Sequence, residues 1–234
     1  MKALTLSQTL NPRLDLLPAP QQRIWGDLRD VPSGFVLWGG TALALHLGHR
    51  QSVDFDFFSD TNVDFDNMLR GVPLLQGCQV TGRSAGSMNC IVDRDGPVKL
   101  SFFAVPGVLS PTEPAHIVSE NGLHVASVRD LSAMKVKVVQ DRAEAKDYID
   151  VDAILRLSDI SLREALATAK HVYGTSFNPA ISLKALAFFG DGSLQLLPED
   201  VKQRLRKAVR DVDPSRLPSL TRTAVTKKNK DRER

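Results

Sequence analysis

Short apolar runs that alternate with polar positions dominate the first half of the chain, whereas helical periodicity dominates the second half. The alternation predicts strands at residues 35–38, 53–58, 78–83, 88–92, 98–105 and 124–127. Apolar residues spaced three or four apart predict helices at residues 41–47, 62–71, 130–142, 145–157, 161–173, 179–189 and 198–210. Residues 10–30 are expected to form a short helical segment broken by Pro18 and Pro20.

This change of pattern divides the chain into two predicted regions and a tail. Residues 1–128 are expected to form an α/β (α+β) core in which helices flank a mixed sheet. Residues 129–212 are expected to form a helical C-terminal region, and residues 213–234 a basic, flexible tail.

Composition narrows the class of protein. With 42% hydrophobic residues, the 234-residue chain can bury a sizeable core, and its net charge of +3 is mild. Seven basic and two acidic residues lie between Arg216 and Arg234, so the remainder of the chain is slightly acidic. Such a tail is most often solvated, and contact with phosphate is the alternative.

The sequence also argues against a zinc site, a secreted protein and a membrane protein. Cys78 and Cys90 form no CxxC motif and accompany no histidine pair, so a zinc site is not expected. No signal-peptide pattern and no apolar run of membrane-spanning length is visible, so a reduced, cytoplasmic protein without membrane contact is expected.

Two aspartates lie within an apolar strand. Strand alternation directs Asp54 and Asp56 to one face and Val53, Phe55 and Phe57 to the other face, into the core. The two carboxylates would lie about 6–7 Å apart along the strand, where they repel each other unless a cation lies between them. A hard divalent ion, Mg²⁺ or Mn²⁺, fits such oxygen ligands. The alternative is a solvated strand face.

A glycine pair precedes the aspartates. Gly39 and Gly40 lie where a predicted strand ends and a helix begins. Free amides and the helix dipole favour an anion at such a position, and the missing side chains allow a phosphate to approach. A tight strand-to-helix turn would also need glycine and is the alternative interpretation.

Together these elements resemble a known family. The stretches "GGTALALHLGHRQSVDFDFF" and "DLSAMKVKVVQDRAEAKDYIDVDAIL" are similar to the two signature elements of the AbiEii/AbiGii-type nucleotidyltransferase toxins of abortive-infection and toxin–antitoxin systems. The matching residues of the first element are Gly39, Gly40, Thr41, Leu43, Arg50, Ser52, Asp54, Asp56 and Phe57. Those of the second are Lys135, Arg142, Lys146 and Asp147.

The resemblance implies a nucleotidyltransferase-like sheet and a specific site. It implies a nucleoside triphosphate bound by Gly39, Gly40, Thr41, Arg50, Ser52 and Lys135, and a metal held by Asp54 and Asp56. Asp56, Lys135 and Asp147 would be catalytic, with Lys135 at the phosphates and Asp147 acting as a base or positioning the attacking hydroxyl. The implied acceptor is RNA, at the tRNA 3′ end, and the implied partner is a cognate antitoxin.

For two of these positions the residues alone also allow a different interpretation. Lys135 could be a solvated helix lysine, and Asp147 could be an N-terminal helix residue that complements the dipole. Twelve positions separate the two residues, about 18 Å along a continuous helix, so a shared site requires a turn. We expect that turn near residues 140–145.

One position departs from the superfamily pattern. Ser101 occupies the predicted strand "VKLSFFAV" where many members of the superfamily place a third carboxylate. Serine is a poor general base, so either Asp147 takes that role or the chain binds nucleotide without turnover. A third reading is nucleotidyl transfer to a small molecule of the aminoglycoside type. His46 and His49 are expected only to cap or solvate the end of the glycine helix.

Overall fold

An eight-stranded mixed sheet forms the centre of the protein, seen in a computed structural model that describes residues 8–218. The strand order is β1-β7-β8-β2-β3-β6-β5-β4. The strands are β1 (Thr9–Leu10), β2 (Val36–Trp38), β3 (Asp54–Ser59), β4 (Gln79–Arg83), β5 (Ser87–Asp93), β6 (Pro97–Ala104), β7 (His116–Val118) and β8 (His124–Val125).

The middle of the sheet is the parallel pair β3 and β6. Its register places Asp54 opposite Lys99 and Asp56 opposite Ser101. β2 lies antiparallel on the other side of β3, and β5 lies antiparallel on the other side of β6. The strand that carries the two aspartates is therefore hydrogen-bonded on both sides, which fixes the direction of their side chains.

Alternation along β3 separates an apolar face from a polar one. Phe55 and Phe57 are fully buried, and the ring of Phe57 stacks on that of Phe102 with centroids 5.1 Å apart. Asp54 and Asp56 lie on the opposite face and are only half-buried. The expected division of the strand is confirmed for these four residues.

Eight α-helices are found within residues 8–218. They are α1 (Ala19–Ile24), α2 (Gly39–Leu47), α3 (Phe65–Gly71), α4 (Val128–Val138), α5 (Ala145–Leu157), α6 (Leu162–Tyr173), α7 (Pro179–Ala187) and α8 (Glu199–Arg210). The mixed sheet followed by a helical half agrees with the fold class expected from the sequence.

The two halves of the chain share one apolar core. α2 follows the second strand of the sheet and packs against both α4 and α5. The core cluster extends from Leu17 in the N-terminal half to Leu205 in α8. Along the part of the chain that the structure describes, no helix has the length and apolar character needed to cross a bilayer. Most of the expected basic tail, residues 219–234, lies outside the described range.

Several expected boundaries need correction. Val53 was expected to face the core, but it is 55% exposed and precedes β3, and its carbonyl accepts a hydrogen bond from the Gln21 side chain. Residues 25–30 form a 3₁₀ segment after α1. The short strands β1 and β7 were not expected from the pattern, since strands of two or three residues are too short to show alternation.

The turn between the two signature helices is confirmed. α4 ends at Val138 and α5 begins at Ala145, so the predicted helix over residues 130–142 is shorter than expected. The chain reverses between them, and the Nζ of Lys135 lies 2.9 Å from a carboxylate oxygen of Asp147. The predicted helix over residues 179–189 likewise ends at Ala187, where Phe188 is extended.

Candidate active site

The start of α2 brings the glycine pair against the aspartate strand. Gly39 has φ +75°, and a Cβ at this position would lie 2.8 Å from Oδ2 of Asp56. A Cβ on Gly40 would lie 2.7 Å from Nη2 of Arg50 and 2.9 Å from Oγ of Ser52. The glycines therefore make room for the protein's own charged side chains.

The amides at this helix start remain available. Trp38 is the N-cap residue of α2, and no side chain caps the helix there. The first amides of an α-helix have no intrahelical acceptor, so they can donate to a bound anion. Thr41 is committed elsewhere, because its buried hydroxyl donates to the carbonyl of Asp54 and ties α2 to β3.

The two aspartates of β3 carry charge that the protein only partly compensates. Burial and the adjacent charge of Asp54 raise the pKa of Asp56. A hydrogen bond with Ser101 and the charges of Lys99 and Lys135 act in the opposite direction. Since the pKa stays raised, Asp56 gains more from an added cation than an ordinary surface carboxylate would.

A buried network of ion pairs lies between α2, α4 and α5, and we call it the buried network. Its carboxylates are Asp147 and Asp150, both with fully buried side chains. Lys135 lies 2.9 Å from Asp147 and 2.6 Å from Asp150, and its side chain is only 5% exposed. Arg142 donates to Asp147 through Nε at 2.7 Å and Nη2 at 3.2 Å.

The segment after α2 supplies the remaining members of the buried network. Arg50 donates to both oxygens of Asp150, from Nε at 2.6 Å and from Nη2 at 2.8 Å. Nε2 of His49 lies 2.7 Å from the same carboxylate, and the buried Nδ1 of His49 has no hydrogen-bond partner among the described residues. Arg50 is therefore held by Asp150, and His49 is buried rather than solvated.

The buried network keeps its carboxylates ionised. Burial by itself would raise the pKa of Asp147, but the hydrogen bond from Arg142 and the charge of Lys135 lower it. For Asp150 the effect of burial is likewise exceeded, by the His49 hydrogen bond and by Lys135 and Arg50, so its pKa lies well below the ordinary range. Two buried acids are thus matched by three fixed cations.

Asp150 is the residue that sequence reasoning missed. It follows Asp147 by three positions on α5, so both carboxylates lie on the same side of the helix. The D-x-x-D spacing was visible in the sequence. However, its partners His49 and Arg50 lie about a hundred residues away, and only the packing of α2 on α5 brings them together.

The predicted site residues thus fall into two groups. Gly39, Gly40, Asp54 and Asp56 lie where the start of α2 meets the half-buried polar side of β3, and we call this surface the open face. The charges of Lys135 and Arg142 are close enough to act on Asp56. Lys135, Asp147 and Arg50 belong to the buried network, and Ser52 packs beside Gly40 at its edge.

The donor set at the open face suits a hard divalent cation. Asp54 and Asp56 offer carboxylate oxygens, and no group of three or more His, Cys, Asp or Glu side chains that could hold a metal occurs within residues 8–218. Mg²⁺ is commonly held by one or two protein carboxylates and completes its shell with water and substrate phosphates. Burial and the neighbouring charge of Asp54 raise the pKa of Asp56, and a cation between the two carboxylates would offset their repulsion.

A known protein family matches most of the chain. A sequence model of the family described as "Nucleotidyl transferase AbiEii toxin, Type IV TA system" matches residues 27–74 and 76–226. The chain is also 28% identical over 174 residues to an uncharacterized protein of Aquifex aeolicus (strain VF5), a match that covers 74% of this chain and 81% of that protein.

Two solved structures share the fold. The nucleotidyltransferase toxin MenT4 from Mycobacterium tuberculosis H37Rv superposes with a TM-score of 0.59 at 18% identity, covering 86% of this chain and 84% of that one. A candidate nucleotidyltransferase from H. pylori superposes with a TM-score of 0.54 at 15% identity, covering 82% and 92%. At these identities the likeness concerns the fold alone.

Proposed function

Because the chain belongs to the AbiEii family of nucleotidyl transferase toxins of type IV toxin–antitoxin systems, we propose that it transfers a nucleotidyl group from a nucleoside triphosphate to RNA. The acceptor in this proposal is the 3′ end of tRNA, and a cognate antitoxin restrains the activity. The acceptor hydroxyl attacks the α-phosphorus, the bond to the pyrophosphate breaks, and pyrophosphate leaves.

The observation that carries the proposal is the convergence at the open face. An uncapped helix start, whose first glycine lies directly against Asp56, adjoins the face of β3 that carries both half-buried carboxylates. The amides of α2 would receive phosphate oxygens, while Asp54 and Asp56 would hold Mg²⁺ or Mn²⁺. When bound, the ion supplies positive charge to the phosphates.

Asp147 is bound to Lys135 within the buried network, and this limits the task it can have in the proposed reaction. Both oxygens of Asp147 accept hydrogen bonds from cations, and its pKa is lowered, so it is a poor proton acceptor. Of the two roles implied by the resemblance, positioning is therefore favoured over base catalysis. Phosphoryl transfer depends mainly on positioning and electrostatics, and the hydroxyl proton passes to water at the half-exposed face.

One alternative has a specific observation in its favour. Ser101 lies opposite Asp56 in the register, where a third carboxylate would complete the site. A chain that binds nucleotide without transferring it would be compatible with that substitution. An acceptor other than RNA, such as a cationic small molecule, is a further outcome of the same test.

The deciding experiment uses each of the four labelled nucleoside triphosphates with Mg²⁺ and total RNA, followed by gel electrophoresis. We expect label to enter RNA from at least one triphosphate. Chelation of Mg²⁺ and the substitution Asp56→Asn should each abolish this labelling. Folded wild-type protein that binds a triphosphate by calorimetry yet labels no RNA would contradict RNA transfer. Trials with small-molecule acceptors would then separate the remaining two readings.

A further inference from the structure

A second lysine lies on the open face beside the aspartates. Lys99 is directly opposite Asp54 in the parallel register of β3 and β6, one position before Leu100 and two before Ser101. Neighbouring strands are about 4.8 Å apart, so its side chain rises from the same face as the two carboxylates. Its charge is close enough to affect Asp56.

Lys99 and Lys135 differ in how their ammonium groups are used. Lys135 is buried and contacts two carboxylates, at 2.9 and 2.6 Å. Lys99 is exposed, and it forms neither an ion pair nor a side-chain hydrogen bond with any residue in the range 8–218. All three of its N–H donors are therefore free to meet an anion from solution.

An anionic substrate needs such a cation at this position. Phosphate oxygens that approach Asp54 and Asp56 meet two negative carboxylates, and like charges repel at this distance. An exposed lysine in the adjacent strand offsets that repulsion. It also lies next to the uncharged Ser101, on the strand where a further carboxylate would have increased the negative charge.

We propose that Lys99 is a substrate-binding residue that contacts a phosphate group of the bound nucleotide or of the acceptor strand. The inference rests on the proposed function and assigns the substrate contact to Lys99, whereas Lys135 maintains the buried network. Both phosphate sources present the same oxyanion, so separate binding experiments are needed to tell them apart.

The test compares Lys99→Gln with Lys99→Arg and with Lys184→Gln. Lys184 is an exposed lysine on α7 and also lacks an ion pair among the described residues, so it controls for the loss of one surface charge. Binding of each nucleoside triphosphate and of a single-stranded RNA is measured across a series of salt concentrations, together with the melting temperature of each variant.

Lys99→Gln should weaken binding of one ligand about tenfold and reduce the magnitude of its log K against log salt slope by about 0.7–1, as expected for one lost phosphate contact. The ligand whose slope changes identifies the phosphate source. Lys99→Arg should retain most of the affinity, and Lys184→Gln should leave both slopes unchanged. All three variants should have the same melting temperature as the wild type.

Unchanged affinities and unchanged salt slopes for both ligands in a folded Lys99→Gln protein would overturn the inference while leaving the proposed function intact. Wild-type protein that binds neither triphosphate nor RNA would instead overturn the proposed function and this assignment with it.

Discussion

The open face of the sheet and the buried network treat negative charge in opposite ways. At the open face Asp54 and Asp56 are half-buried and close together, and the pKa of Asp56 is raised by burial and by its neighbour. In the buried network Asp147 and Asp150 are fully buried, yet cations hold their pKa values below the ordinary range. Burial alone therefore does not decide the state of a carboxylate.

The difference shows which charges are reserved for a ligand. Every carboxylate oxygen of the buried network already has a cationic partner, so the network is complete without substrate. The open face lacks such pairing and is destabilised until a cation arrives. Sites that bind ligands commonly retain unfavourable interactions of this kind, whereas supporting residues are satisfied within the protein.

The largest expected effect follows from removing one charge of the open face. Asp56→Asn should reduce nucleotidyl transfer by at least about a hundredfold, because the carboxylate that holds the metal is lost. The measurement is the rate of label transfer to RNA under saturating Mg²⁺. Wild-type turnover in this variant would refute the metal assignment.

Asp150→Ala should produce the largest loss of stability. Removing one partner of a buried ion pair leaves the other charge unpaired, which typically costs about 3–5 kcal/mol of unfolding free energy. Urea denaturation measures the loss. The matched control is Asp66→Ala, which breaks an exposed pair of 2.7 Å with Arg83 and should have little effect. Equal losses of unfolding free energy in both variants would contradict a larger stabilising contribution from the buried network than from an exposed ion pair.

Gly40→Ala tests the contact between the two regions. The new Cβ would lie 2.7 Å from Nη2 of Arg50, which cannot move freely because Asp150 holds it at two atoms. We expect a loss of about 1–3 kcal/mol, as for overpacking. Gly71→Ala is the control, since a Cβ there meets nothing within 4 Å. Gly40→Val should in addition weaken triphosphate binding, measured by calorimetry.

The smallest expected effect is a difference in pH dependence. Asp147 and Asp150 have folded-state pKa values below the unfolded value of about 3.9, so their stabilisation is present above that pH and is lost as the pH falls below it. Asp56 has a raised folded-state pKa, so its charge destabilises the fold at neutral pH and protonation relieves this as the pH falls.

Urea titrations between pH 3 and pH 7 should therefore separate the two regions. Asp56→Asn should be slightly more stable than wild type at pH 7, and the gain should shrink towards acid pH. Asp150→Asn should be less stable than wild type at pH 7, with a smaller deficit near pH 3. If the free energies of unfolding of both variants changed with pH in the same way, the open face and the buried network would not differ in how they hold negative charge.

Local patterns were sufficient to predict most of the fold. The alternation around Asp54 and Asp56, the glycine pair and the helical periodicity after residue 128 all describe features within a few residues of one another. The turn between Lys135 and Asp147 was also predictable, because a shared site required it.

The buried network could not be predicted in the same way. The contact of Asp150 with Arg50 depends on how α2 packs on α5, and no local periodicity encodes it. The family resemblance implied that Arg50 lies at the nucleotide, and in the structure its guanidinium is bound to Asp150. The glycines were expected to leave space for a phosphate or to permit a tight turn, and Asp56 and Arg50 occupy part of that space.

The sequence separations within the buried network also predict an order of assembly. Lys135 and Asp147 are 12 positions apart, so the helical hairpin of α4 and α5 can pair them early through a short loop. Arg50 and Asp150 are 100 positions apart and meet only when the N-terminal sheet docks on that hairpin. A folding intermediate with separate halves would therefore carry Asp54, Asp56 and Lys99 without an anchored Arg50. In this predicted order the long-range docking step comes last and completes the site, so a partly folded chain would lack the finished arrangement.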